Sequence, residues 1–145
     1  METNMRATGE SKGMIWTGRV ISALPALLLL FSGVVKLAKP ASVVTGFHDF
    51  GYPESLLIPL GIVEIACTLV YLFPRTSVLG AILMTGYLGG AVATNVRLLN
   101  PAFVAPVICG VFVWLGLFLR DQRLRQLLLE RRRAAPAVQR ENVLV

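Results

Sequence analysis

The chain has 145 residues, 55% of them hydrophobic, and a mean hydropathy of +0.69. A water-soluble domain of this length rarely carries so large an apolar fraction. The net charge of +6 does not indicate nucleic acid, because seven of the 14 basic residues follow Leu119 and no DNA- or RNA-binding signature accompanies them; membrane topology and attraction to anionic lipid account for it better.

The apolar residues fall in long blocks rather than in an amphipathic period, which means membrane spans in a single domain. Residues 1–15 are polar and are expected to form a mobile tail. They do not read as a secretory signal, since the apolar run behind them is long and no small-residue cleavage site follows it. The first span is expected over Trp16 to Leu37, with Trp16 at headgroup level and Pro25 as a tolerated kink. Lys36 closes it. On the face of Lys36 lie Gly33, Ser32, Leu29, Pro25 and Ser22, a small and weakly polar stripe.

Residues 38–55 link the first two spans. Pro40 favours a helix start, and Val43, Val44, Phe47 and Phe50 recur at roughly helical spacing, so a short interfacial helix is expected over the mouth of the bundle. Gly51-Tyr52-Pro53 should end it. His48, beside Asp49, reads as a lone surface histidine rather than a ligand or acid.

The second span, Leu56 to Phe73, is apolar except for Glu64 near its middle. A charged side chain at that depth costs about 2.5–3.5 kcal/mol on insertion scales, so the fold must supply partners. Residues three, four and seven positions away share a helical face. Around Glu64 these are Leu57, Leu60, Gly61, Cys67, Thr68 and Tyr71, while Ile58, Ile62, Ile65 and Leu69 lie opposite. The small, polar face is expected to point inward and the aliphatic one to meet lipid.

Phe73-Pro74-Arg75-Thr76 marks a tight turn into the third span, Ser77 to Val96. Gly86 and Gly90 form a GxxxG pair that permits close helix approach, and Gly33 and Gly61 read as packing positions too. Tyr87, Thr94, Asn95 and Arg97 add polarity toward its end. Asn100-Pro101 marks another turn, and the fourth span runs over Ala102 to Leu119 with a stripe of Ala102, Ala105, Pro106, Cys109, Val113 and Gly116. Residues 121–145 form a basic tail in which Leu124, Leu127 and Leu128 suggest a surface-lying amphipathic helix, disordered from Pro136. The fold class is therefore all-α, a four-transmembrane-helix bundle. Eleven Lys and Arg fall on the side of both termini and three on the other, so both termini are expected in the cytoplasm of a bacterial-type plasma (inner) membrane.

The polar positions gather by depth. Lys36, Asn95 and Arg97 lie near the outer ends of their spans, and Glu64 is roughly 13 Å below, at 1.5 Å per helical residue. Lys36 or Arg97 can reach toward it, directly or through water, or snorkel outward. The functional reading is a polar cavity for a small ligand, a quinone headgroup or a proton path, with Glu64, Lys36, Asn95, Arg97, Thr68, Tyr71 and Tyr87 as candidates. The bland reading is a buried pair that fixes helix register and binds nothing. Cys67 and Cys109 differ in depth and read as small apolar residues rather than a disulfide. No metal, nucleophile or phosphate-loop motif is present.

The stretches FSGVVKLAKP, GYPESLLIPLGIVEIAC and PRTSVLGAILMTGYLGGAVATNVR resemble the DoxX-like family of small four-helix membrane proteins, over roughly Trp16 to Arg120. Lys36, Glu64 and the Asn95–Arg97 segment match the family's polar positions. Relatives often carry histidine where this chain has Asn95, so the resemblance implies no histidine-dependent proton or metal chemistry here. Some relatives are membrane subunits linked to thiosulfate:quinone oxidoreduction or to thiol and oxidative-stress systems, and more distant ones include a cargo receptor of the early secretory pathway. The expectation is a redox-associated membrane subunit that holds a quinone or similar small ligand near Glu64. It would have no covalently bound cofactor, and a membrane or soluble partner protein would supply the redox chemistry. A proton-coupled or small-solute carrier is the alternative, as is a structural partner whose glycine-rich third span docks another membrane protein; catalysis and homo-oligomer formation are left open.

Overall fold

The computed structural model describes residues 2–121 and 124, with side chains from Gly13 onward. Five α-helices follow in order: α1 Glu2–Ala38, α2 Ala41–Asp49, α3 Leu57–Leu72, α4 Ser77–Arg97 and α5 Val104–Arg120, with single 3-10 turns at Glu54–Leu56 and Pro101–Phe103. Among the described residues four stretches are long and apolar enough to cross a membrane: Gly13–Ala38, Glu54–Leu72, Ser77–Arg97 and Pro101–Arg120. The helical backbone of α1 extends back through the polar N-terminal residues. The surface helix expected over Leu124, Leu127 and Leu128 lies outside the described residues except for Leu124 itself. That residue follows an interruption: α5 stops at Arg120, Asp121 is extended, and its carboxylate accepts from the Leu124 amide at 3.2 Å.

The four long helices form a ring in the order α1, α3, α4, α5, each packed on its two neighbours. Polarity explains which faces meet. On α3 the buried residues are Leu57, Gly61, Glu64, Cys67, Thr68 and Tyr71, while Ile58, Ile62 and Leu69 are exposed. Lipid solvates aliphatic side chains as well as a protein core does, so helices in a membrane associate through small residues and polar contacts. The α1–α3 crossing shows this. A Cβ on Gly33 would lie 2.6 Å from Ile65 Cγ1, and one on Gly61 would lie 3.0 Å from the Gly33 carbonyl oxygen. Gly80 is pressed in the same way against the Tyr71 backbone, and Gly116 against Ser22.

The bundle is solid around Tyr71 and hollow toward α2, and a further recess opens to the surface at the α3–α4 turn between Arg19, Arg75 and Arg120. Tyr71, Ala81, Met84, Val113 and Leu117 fill the half near the α3–α4 turn, each at most 1% exposed. The Tyr71 hydroxyl donates to the Val113 carbonyl at 2.9 Å and lies 3.0 Å from Ser22 Oγ. Arg120 covers this layer, its guanidinium 4.5 Å from the ring centroid and donating to the Tyr71 carbonyl at 2.8 Å.

The opposite end is roofed by α2. Pro40 is its N-cap, and its carbonyl accepts from the Val43 and Val44 amides. At the other end Gly51 takes φ +76°, which lets its amide reach the His48 carbonyl and the Tyr52 amide reach Phe47. That pair of bonds is the Schellman closure, and glycine is the residue that adopts the left-handed turn without steric cost. His48 and Asp49 face outward.

Candidate functional site

The hollow half is a cavity of about 580 Å3. Ser32 and Lys36 come from α1, Glu64 from α3, Tyr87, Thr94 and Asn95 from α4, Cys109 from α5, and Phe47, Phe50 and Tyr52 from the roof. Helical periodicity puts the α1 and α3 contributions on facing stripes, and the Gly33–Gly61 crossing lets them approach.

Glu64 is 2% exposed. Its Oε2 sits 2.7 Å from Lys36 Nζ and accepts from Ser32 Oγ at 3.3 Å, while Lys36 also donates to Ser32 Oγ at 2.6 Å. The three side chains close a small ring of charge-assisted bonds, which are stronger than neutral ones. The Tyr87 phenol faces the same carboxylate from α4. Lys36 is therefore the cation that meets Glu64. It has three N–H donors, and two are used within this ring.

Arg97 goes elsewhere. Its Nη2 donates to the Phe50 carbonyl at 2.7 Å and ties the end of α4 to the roof. A second tie joins the Tyr52 and Thr94 hydroxyls at 2.7 Å. Asn95, next to Thr94 on α4, also lines the cavity. Its amide donates to the Ala91 carbonyl at 2.9 Å, and its Oδ1 is buried with no hydrogen-bond partner among the described residues. An unsatisfied buried acceptor costs about 1–3 kcal/mol.

Of the seven polar candidates, the structure brings Glu64, Lys36, Tyr87 and Asn95 together. Thr68 does not join them, because its hydroxyl bonds the Glu64 carbonyl one turn back, at 2.7 Å. Tyr71 belongs to the solid half, two turns below Glu64, and Arg97 belongs to the roof. Among the glycines, Gly33 and Gly61 are packing positions, whereas Gly86 and Gly90 are not: a Cβ on either would meet nothing within 4 Å, because both line the cavity wall. Ser32, Tyr52 and the Phe47–Phe50 pair complete the site. Ser32 was visible on the Lys36 stripe, and the phenylalanines in the spacing of the linker. Tyr52 carried no signal beyond its place in a turn. Cys67 and Cys109 are both free thiols.

The profile of the DoxX-like family matches residues 20–116, two thirds of the chain. The chain belongs to the DoxX-like family. That stretch takes in every residue that lines the cavity, so the site is a feature of the DoxX-like region rather than of its extensions. No curated protein and no solved structure is significantly similar to the chain.

Proposed function

We propose that this DoxX-like protein is a membrane subunit that holds a small ring-shaped ligand of the quinone class beside the Lys36–Glu64 pair. The observation that carries the reading is Asn95 Oδ1, a buried acceptor without a partner in the wall of a cavity that also contains a buried ion pair. A hydroxyl of a reduced ring satisfies Asn95, and a carbonyl of the oxidised ring accepts the remaining Lys36 proton. Tyr87, Tyr52, Phe47 and Phe50 offer aromatic walls. The cavity volume falls within the roughly 300–1,000 Å3 of small-ligand sites. Electrons would come from a membrane or soluble partner protein, with this chain binding and orienting the ring. In the arrangement proposed, both termini and Arg120 face the cytoplasm of a bacterial-type plasma membrane, and the roof faces outward. The packed layer around Tyr71 separates the cavity from the other face of the bundle, which supports a binding subunit over a carrier.

The test uses the full chain in lipid nanodiscs with a tail-less benzoquinone and its quinol. Cys109 lines the cavity, so its alkylation by a small maleimide, located by mass spectrometry, reports occupancy. The ring should slow alkylation in wild type and in His48→Ala, and should lose this effect in Asn95→Leu and Glu64→Gln. Equal protection in wild type and Glu64→Gln, or none in wild type, overturns the reading.

A further inference from the structure

Leu88 of α4 and Pro106 of α5 line the cavity, and the same two residues line a second hollow of about 620 Å3 on the outer surface between those helices. This trough is almost wholly apolar. Its two polar side-chain groups satisfy each other, with the Trp114 ring N–H donating to Thr85 Oγ1 at 2.9 Å. Two glycines empty it. A Cβ on Gly89 would meet nothing within 4 Å, and one on Gly110 would meet only Leu88 Cδ1, at 3.8 Å. Leu88 thus reaches across to α5 above Gly110, and the partition between trough and cavity is one layer of side chains. Along α5 the trough extends from Pro106 to Phe118, roughly 18 Å at 1.5 Å per residue.

We propose that the ligand is an amphiphile: a polar ring beside Lys36 and Glu64, and a single long apolar tail that passes between α4 and α5 over Leu88 and Pro106 into the trough. This rests on the reading of the cavity as a ligand site and narrows its ligand to lipid-soluble quinones and quinols. The two hollows share the Leu88–Pro106 wall, and that adjacency names the occupant. The polar groups of the cavity take a head, the adjoining trough asks for no hydrogen bond and takes an alkyl or isoprenoid chain, and one molecule spans both. Head and tail enter from the bilayer by the side of the bundle, without lifting the roof that Arg97 and Tyr52 hold down.

The experiment compares a tail-less benzoquinone with the same ring bearing a decyl tail brominated near its end, on the full chain in nanodiscs. Trp16→Phe leaves Trp114 as the one tryptophan, since the chain has two. Bromine quenches indole fluorescence at contact. The tailed ring should quench Trp114 saturably, at one molecule per chain, and Glu64→Gln should abolish the saturable part. A brominated decanol without the ring should quench only in proportion to its amount in the lipid. Gly89→Leu and, separately, Gly110→Leu fill the trough, and should weaken Cys109 protection by the tailed ring at least tenfold more than protection by the tail-less ring. If the tailed ring protects Cys109 yet never quenches Trp114 saturably, the tail lies elsewhere and the trough holds bulk lipid only; the inference then falls while the cavity reading stands. If neither ring protects Cys109, both fall together.

Discussion

Glu64 is held by Lys36 at 2.7 Å and by Ser32 at 3.3 Å, deep in an apolar span, so its stability depends on partners rather than on water. Removing one member of a buried pair costs about 3–5 kcal/mol, because the other stays buried without compensation, whereas replacing both by apolar residues is often neutral. Lys36→Met should therefore lower unfolding stability in detergent by about that amount, and Lys36→Met with Glu64→Leu should recover most of it. Additive losses in the two single variants and the double would mean that the pair is not coupled. The inward direction of Glu64 was legible in the sequence, since a lone acid among aliphatic residues can turn only toward the small-residue stripe. Depth was harder to read. Periodicity gives the angle of a side chain about the helix axis and says little of its level, so Tyr71, on the same stripe as Glu64, joins Ser22 and Val113 about 10 Å lower, at 1.5 Å rise per residue. Thr68 was misleading for another reason: in an apolar setting a threonine hydroxyl turns to the carbonyl of its own helix one turn back.

At the scale of the helix, the glycines divide by what stands opposite them. The backbone of Tyr71 occupies the space a Gly80 Cβ would need, and open cavity lies beside Gly86 and Gly90. Overpacking a tight contact costs about 1–3 kcal/mol, while an unopposed Gly→Ala change in a helix gains up to about 1 kcal/mol. Gly80→Ala should lower the unfolding midpoint, and Gly86→Ala and Gly90→Ala should leave it unchanged or raise it. A loss of stability at Gly86 or Gly90 as large as that at Gly80 would place a helix contact where the structure has a cavity. The GxxxG spacing in the sequence states that close approach is permitted, and whether a neighbour makes use of it is a tertiary fact. By contrast, the limits of α2 were readable to a residue or two, since Pro40 and Gly51 each impose a local backbone geometry. The ties from Arg97 to Phe50 and from Tyr52 to Thr94 were not, because each joins groups more than forty positions apart.

For the whole molecule, four apolar spans and the charge count give a definite expectation of topology. The basic residues on the side of Arg75 and Arg120 outnumber those beside the roof by eleven to three, and the richer side stays in the cytoplasm. A fluorescent protein fused after Val145 should mature and glow, and alkaline phosphatase fused there should be inactive yet active when inserted after Asp49. The reverse pattern would invert the bundle. The layer around Tyr71, where Tyr71, Leu117 and Val113 are fully buried and Met84 nearly so, then has a consequence of its own. It makes the bundle a cup with a sealed floor rather than a pipe. In the arrangement proposed, a ligand in the cup would exchange with the rim or with the surrounding lipid, and the Tyr71 floor would stand between it and the compartment on the other side.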